Sequence, residues 1–276
     1  MAVLFCVFAS LASASEVEIA RDVTYGDDPV LQSLDLYRVA GASQLPILVF
    51  IHGGGWSEGD KGRHPRKGEF FAREGFLYVT MNYRLSPKVT HPAHVEDVAT
   101  ALAWIHRNAA SYGGDASRVF LLGHSAGAHL AALVVTDPRH LKAQGLAPDL
   151  VDGVVLLDGS GYDVAERMKG ARGWSRAMFR TAFGDDPEVW KDASPALHVK
   201  GGRTPPPVLL FHISGQVPSA KQARAFADVL QSAGGRAEVV EVKNRDHVTI
   251  NRRLGLPGDP VTARMLTFLR ELSPAR

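Results

Sequence analysis

The chain has 276 residues, enough for one large α/β domain or two small ones, and 45% of them are hydrophobic, so a sizeable core is available. Its 31 basic and 29 acidic residues give a net charge of only +2, which argues neither for a nucleic-acid partner nor for a strongly acidic substrate. Since no apolar run of about 18 residues follows the N-terminal region, no membrane-spanning helix is expected.

Residues 1–14 have the pattern of a secretory signal peptide. Ala2 to Leu11 is apolar, and Ala12-Ser13-Ala14 resembles a cleavage site, which predicts a secreted or periplasmic mature chain of residues 15–276. The usual basic residue is missing before the apolar run, so a misassigned start codon or a loose apolar tail is the alternative. The only cysteine, Cys6, lies in this segment, so a mature chain would hold neither a thiol nor a disulfide.

The next predicted elements lead to a glycine motif. Glu16 to Tyr25 and Ser33 to Val39 alternate apolar and polar residues, which predicts an antiparallel pair of strands. Ile47 to Ile51 is continuously apolar, as expected of a strand covered by helices on both faces.

His52-Gly53-Gly54-Gly55-Trp56 follows that strand directly. Glycines at such a point let backbone N–H groups face a cavity, so we expect Gly54, Gly55 and Ala126 to form an oxyanion hole with their N–H groups. The alternative is a glycine turn that only reverses the chain.

A helix, a strand and a second helix come next. Arg66 to Glu74 is predicted as a helix with Phe70 and Phe71 inward, and Phe76 to Tyr83 as a strand. Pro92 to His106 carries apolar residues three and four apart, which is typical of a helix packed on a sheet.

A second motif, Gly123-His124-Ser125-Ala126-Gly127, follows the apolar run Arg118 to Leu122 and precedes a helical pattern. G-x-S-x-G between a strand and a helix is the turn that exposes a nucleophilic serine. The flanking glycines have no Cβ to clash with the neighbouring strand and helix. We therefore predict Ser125 as the nucleophile.

These motifs resemble those of the α/β-hydrolase superfamily, in the HGGGW/GHSAG carboxylesterase group. They most resemble bacterial carboxylesterases related to feruloyl esterases and arylformamidases. The resemblance extends from about Val23 to the C-terminus and is densest at 52–61, 81–87, 91–105 and 113–133. It implies a hydrolase of small-molecule esters or amides that needs neither a cofactor nor a metal. Oligomeric state is not implied.

Val151 to Leu157 is a further buried strand, and Asp158 ends it. Residues 159–202 contain no strong strand but several aromatic residues. The resemblance implies a small helical lid in this segment, at the edge of the sheet where ligands bind in such folds. A plain surface excursion whose aromatic residues only fill the core is the alternative.

The last elements continue the alternation of strands and helices. Pro207 to Ile213 and Ala237 to Val242 are predicted strands, and Ser219 with Gln222 forms a capping box between them. Asp259 is predicted to cap a C-terminal helix. The fold class is therefore α/β, a doubly wound and mostly parallel sheet in a single domain.

The predicted base is His247, in the loop after the last strand, where the resemblance implies the histidine. His212 lies inside an apolar strand and is predicted to be a buried structural residue. The resemblance also implies a triad acid just after Ile213, but the segment 214–219 contains no carboxylate.

Asp158 is the best substitute for that acid, because it ends the preceding strand and keeps the order serine, acid, histidine. Asp228 is predicted to lie on a helix surface, and the side chain of Asp246 should diverge from its neighbour His247. A serine–histidine dyad oriented by Gln216, Ser214 or water is the remaining possibility.

The leading function is a serine hydrolase that cleaves carboxylic esters through an acyl-enzyme. An arylformamidase-type amide hydrolase could use the same site. The missing acid also allows a different class, a catalytically weak hydrolase-fold binding protein.

Overall fold

A computed structural model describes residues 16–199 and 202–273. The predicted signal peptide and Cys6 lie outside the described residues. Within them, no helix is both long and apolar enough to cross a membrane.

One eight-stranded sheet runs through the centre of the molecule. The strands are β1 (Val17–Thr24), β2 (Ser33–Val39), β3 (Leu45–Ile51), β4 (Leu77–Met81), β5 (Gly114–His124), β6 (Val151–Leu157), β7 (Val208–Ile213) and β8 (Ala237–Val242). Their order is β1-β2-β4-β3-β5-β6-β7-β8. The β1–β2 and β2–β4 pairs are antiparallel and the other five are parallel, which confirms the predicted doubly wound fold.

Helices flank this sheet and follow its strands. They are α1 (Pro65–Arg73), α2 (Ala93–Asn108), α3 (Ala126–Thr136), α4 (Pro138–Ala143), α5 (Val164–Gly170), α6 (Gly173–Phe183), α7 (Pro187–Asp192), α8 (Pro195–His198), α9 (Val217–Ser232), α10 (Thr249–Arg252) and α11 (Pro260–Leu272). Four of them, α5 to α8, lie in the predicted lid segment 159–202, between β6 and β7.

Two apolar cores sandwich the sheet, because side chains of its central strands point alternately to opposite faces. In β3, Ile47, Val49 and Ile51 belong to the core that contains α2, α3 and α9. Leu48 and Phe50 belong to the other, which contains α1 and α11. Both faces are therefore covered, as the continuous apolar run of β3 predicted.

Two local predictions need correction. The predicted capping box at Ser219 is wrong, because α9 begins earlier, at Val217, and no side chain caps it. Gln222 Oε1 instead accepts a hydrogen bond of 2.8 Å from the backbone N–H of Asp163. In α1, Phe71 is fully buried as predicted, but Phe70 is only partly buried at the core edge.

Candidate active site

Ser125 occupies the sharp turn between β5 and α3. Its φ of 55° and ψ of −117° fall in a region that non-glycine residues rarely adopt. A Cβ on Gly123 would lie 2.4 Å from the carbonyl oxygen of Gly127, and one on Gly127 would lie 2.1 Å from that of Ile51. The two glycines therefore let β3, β5 and α3 approach closely enough to hold this turn.

The glycine loop after β3 lies directly beside the serine. A Cβ on Gly53 would come within 2.9 Å of Ser125 Cβ. Gly54 and Gly55 have positive φ values of 118° and 58°, which only glycine adopts without strain. Gly53, Gly54 and Gly55 line the same cavity as Ser125.

Ala126, the third predicted donor, is the first residue of α3, so its N–H has no acceptor within the helix. All three predicted oxyanion-hole residues, Gly54, Gly55 and Ala126, thus belong to the two segments that meet at Ser125.

His247 and Asp158 reach Ser125 from two further elements. His247 lies in the loop between β8 and α10, and its Nε2 is 2.9 Å from Ser125 Oγ. Its Nδ1 is 2.7 Å from Oδ2 of Asp158, the residue that follows β6. The three side chains form one continuous hydrogen-bond chain at the carboxyl edge of the sheet, with the acid after β6 rather than β7.

Asp158 is only 4% exposed, and its backbone φ is 47°. Burial alone would raise its pKa, but the hydrogen bonds that it accepts, above all the one from His247, outweigh burial and lower the pKa below its usual value. The carboxylate is therefore ionised at neutral pH and able to accept a hydrogen bond from Nδ1 of His247.

The other acid candidates lie elsewhere. Asp228 is exposed on α9. Asp246 Oδ1 accepts hydrogen bonds from the backbone N–H groups of Val248 and Thr249, so it stabilises the start of α10. Within the described part of the chain, neither Ser214 nor Gln216 forms a hydrogen bond with the side chain of His247.

His124, which sequence reasoning did not single out, also touches the base. Its Nε2 lies 2.7 Å from the carbonyl oxygen of His247, so Nε2 must carry the donated proton. The two imidazole rings lie 4.8 Å apart, and burial together with the charge of His247 lowers the pKa of His124 to about 3. His124 thus fixes the backbone of the histidine loop from beside the serine.

Trp56 connects the glycine loop to the lid segment. Its indole packs edge-on against Phe179 at 5.1 Å and Phe183 at 4.7 Å, both on α6. Its Nε1 donates to Nδ1 of His129, whose Nε2 donates to the carbonyl oxygen of Ala193. His129 was also missed, although a histidine within the apolar sequence of α3 is a signal that could have identified it.

A cavity of about 950 Å³ opens above Ser125 and His247. The glycine loop forms one wall, and α6 of the lid segment forms another through Trp174, Ser175 and Met178. Among residues 16–199 and 202–273, no group of three or more His, Cys, Asp or Glu side chains is arranged to hold a metal ion.

Comparison with known proteins places this geometry in a family. The family model described as BD-FAE matches residues 34–230. Esterase LipQ of Mycobacterium tuberculosis is 34% identical over 240 residues, which cover 82% of this chain and 56% of that protein. Isoprenylcysteine α-carbonyl methylesterase ICME of Arabidopsis thaliana is 28% identical over 248 residues, covering 84% and 57%. The chain spans a little over half the length of these relatives.

Among solved structures, Thermogutta terrifontis esterase 2, solved in a form phosphonylated by sarin, is similar over nearly its whole length. The TM-score is 0.73 at 25% identity, and the match covers 95% of this chain and 97% of that one. The fold predicted from the sequence is therefore confirmed.

Proposed function

Since the chain belongs to the BD-FAE family and has the α/β-hydrolase fold, we propose that it is a serine hydrolase that cleaves carboxylic esters. The observation that carries this proposal is the hydrogen-bond chain from Ser125 through His247 to Asp158, which faces a cavity. The contact between His247 and Asp158 weakens the binding-protein alternative, because that alternative depended on the lack of a triad acid.

Acylation begins when Ser125 Oγ attacks the ester carbon and His247 Nε2 takes its proton. Asp158 stabilises the imidazolium that forms and keeps the proton on Nδ1. The backbone N–H groups of Gly54, Gly55 and Ala126 hold the tetrahedral oxyanion. Collapse of this intermediate expels the alcohol, which receives its proton from Nε2.

Deacylation repeats these steps with water in place of the serine. Water attacks the acyl-enzyme, His247 again removes the proton, and the acid product leaves as Ser125 Oγ recovers its hydrogen. The relatives support this reaction because LipQ is named an esterase and ICME a methylesterase.

A substrate panel tests the proposal. Purified protein is assayed with short- and long-chain nitrophenyl esters, a feruloyl ester and N-formylkynurenine, and its serine is labelled with a fluorophosphonate. We expect turnover of esters and rapid labelling; turnover of N-formylkynurenine alone would favour the arylformamidase function. Slow labelling together with no hydrolysis of any of these compounds would contradict the enzyme proposal.

Ser125→Ala is the matched control for that panel. The variant should keep the fold and lose turnover by roughly 10⁶-fold, because the serine, base and acid act as a unit. Turnover is compared with the wild type after circular dichroism has shown that both are folded. A loss of only tenfold would remove Ser125 from the nucleophile's role.

We further propose that the protein is exported and that the mature chain starts near Ser15. The support is the apolar run Ala2 to Leu11 followed by Ala12-Ser13-Ala14. N-terminal sequencing after expression in a bacterial host tests it, and an intact Met1 in the soluble cytosolic fraction would contradict export.

A further inference from the structure

Arg167 places a positive charge at the lid side of the cavity above Ser125. It belongs to α5, and it lines the cavity together with Trp174, Ser175 and Gln216. Its Nη2 donates a hydrogen bond of 2.9 Å to Ser175 Oγ, and its guanidinium carbon lies 5.6 Å from the ring centre of Phe179.

Among the described residues, this guanidinium has no carboxylate partner. No Asp or Glu oxygen of the described residues lies within 4.0 Å of it, and every Asp and Glu side chain of the sequence falls within those residues. The adjacent acid, Glu166, pairs instead with Lys169 and Lys221 on the outer surface.

The Nε of Arg167 is also buried, and no atom in the described part of the chain accepts a hydrogen bond from it. Two other arginines of the described chain have a buried nitrogen without an acceptor, Arg245 and Arg264, but each pairs with a carboxylate, that of Asp259 or Glu238. Of these three arginines, Arg167 is therefore the one whose positive charge has no carboxylate beside it.

Such an arrangement is energetically unfavourable for an arginine without a carboxylate partner. Burial lowers the pKa of Arg167, yet an arginine stays protonated in proteins, so the group remains a partly dehydrated cation. A carboxylate would remove this penalty, because it can accept two parallel hydrogen bonds from the guanidinium fork.

The surrounding charges favour the same ligand. From Asp163 to Phe183 the chain has five basic and two acidic residues, a local charge of +3 against +2 for the whole protein. The other charged wall of the cavity differs, because Arg63 is there accompanied by Glu58 and Asp60. An anion is therefore attracted to the lid side.

We propose that Arg167 forms a subsite for a carboxylate of the substrate, so that the preferred esters carry a negative charge. This inference rests on the proposed ester hydrolysis and specifies its substrate class. Arg167 acts in it as a specificity-determining residue and takes no part in the hydrogen-bond chain of Ser125, His247 and Asp158.

Two pairs of esters, each differing by one carboxylate, test the subsite. The acyl-side pair is mono-4-nitrophenyl glutarate and 4-nitrophenyl valerate; the alcohol-side pair is 3-acetoxybenzoate and phenyl acetate. The ratio of kcat/KM for the charged over the neutral ester is measured in the wild type, Arg167→Gln, Arg167→Lys and Lys169→Gln. Inherent differences in ester reactivity cancel between enzymes.

In Arg167→Gln the ratio for at least one pair should fall by roughly 10- to 100-fold, the range expected for loss of a charge-assisted hydrogen bond. Arg167→Lys should restore part of it. Lys169→Gln should leave the ratio unchanged, because Lys169 is exposed on the same helix and pairs with Glu166. Free glutarate should inhibit the wild type competitively and inhibit Arg167→Gln more weakly.

Ratios that stay within twofold in Arg167→Gln for both pairs would overturn the subsite. An equal fall in Lys169→Gln would also overturn it and assign the effect to the general charge of the lid segment. Neutral esters separate this failure from that of the proposed function: if the wild type hydrolyses them while Arg167→Gln changes no ratio, only the subsite fails.

Discussion

At the residue scale, the environment of Asp158 has two effects at once. A buried carboxylate is tolerated only where hydrogen bonds replace its hydration. His247 provides one of these bonds, so the contact that stabilises the carboxylate also orients the imidazole ring of His247. Asp158 shares a second property with two other residues of the site. Six of the described non-glycine residues have a positive φ, and three of them are Asp158, Ser125 and Trp56. Half of these strained backbone positions therefore belong to the candidate site.

Asp158→Asn should lower turnover by roughly 10⁴-fold, because an amide in this place favours the wrong tautomer of His247. Steady-state kinetics on nitrophenyl esters measure the loss. Asp228→Asn is the matched control and should stay fully active, since Asp228 is exposed on α9. A fully active Asp158→Asn enzyme would mean that His247 works without this acid.

His124 should act as a positioning residue through its hydrogen bond to the backbone of His247. His124→Phe keeps a ring but loses the donor, so kcat should fall by up to about tenfold while KM changes little. His124→Gln retains an N–H group and should recover part of the loss. If kcat were the same in His124→Phe and His124→Gln, the hydrogen bond donated by residue 124 would not matter for catalysis. Thermal unfolding checks that both variants are folded.

At the element scale, the lid segment is attached at several points. α6 packs on Trp56, and His129 bonds the backbone between α7 and α8. Asp192, at the end of α7, accepts a hydrogen bond of 2.9 Å from His91 and one of 2.6 Å from Arg139. Helix α6 therefore packs against the glycine loop through Trp56 and also lines the cavity.

Phe183→Ala should reveal this support. Removing a buried phenylalanine costs roughly 3–5 kcal/mol of folding stability. It should also lower kcat in the folded protein, because Phe183 packs against Trp56, the residue that follows Gly54 and Gly55 in the proposed oxyanion hole. Phe268→Ala is the control: Phe268 is equally buried, but in the α11 core on the other face. Urea unfolding and kcat at low temperature are measured for both variants. If Phe268→Ala lost as much kcat as Phe183→Ala, the loss would not be due to the contact between Phe183 and Trp56.

Local patterns predicted the elements well but not all of their contacts. Continuous apolar runs predicted the parallel strands, because covered strands need apolar residues on both faces. The predicted capping box was wrong because Gln222 forms its hydrogen bond with a residue that is distant in sequence. Its side chain accepts from the backbone N–H of Asp163, which lies 59 residues earlier. The sequence indicated Asp158 as the best candidate for the acid, but it could not decide between a triad with Asp158 and a serine–histidine dyad. The deciding contact joins Asp158 to His247, which lies 89 residues later. Arg167 gave no sequence signal at all.

At the scale of the whole molecule, buried neutral histidines should make stability depend on pH. Burial lowers the pKa of His52 to about 4 and those of His124 and His129 to about 3. In the unfolded chain their pKa is about 6.5, so below that pH the unfolded state binds protons that the native state does not. Their contribution to stability is complete above pH 6.5 and is lost as pH falls toward these folded values.

Between pH 6 and 5 the loss should approach about 1.4 kcal/mol per pH unit for each such histidine. Urea midpoints measured at pH 7.5, 6 and 5 check this slope. His129→Gln should be less stable but less sensitive to pH, whereas His106→Gln should keep the full slope because His106 is exposed on α2. Stability that is constant from pH 7.5 to 5 would contradict the argument.

The distribution of tryptophans has a consequence for spectroscopy. Of the four in the sequence, Trp56 is buried and Trp104 and Trp190 are partly buried, whereas Trp174 is 77% exposed on α6 and lines the cavity. Its indole is therefore the one most open to a dissolved quencher and should emit at the longest wavelength. A ligand that enters the cavity next to it should shift that emission and shield it from acrylamide. The protein thus contains its own optical reporter of occupancy, and binding to an inactive variant could be followed without any attached dye.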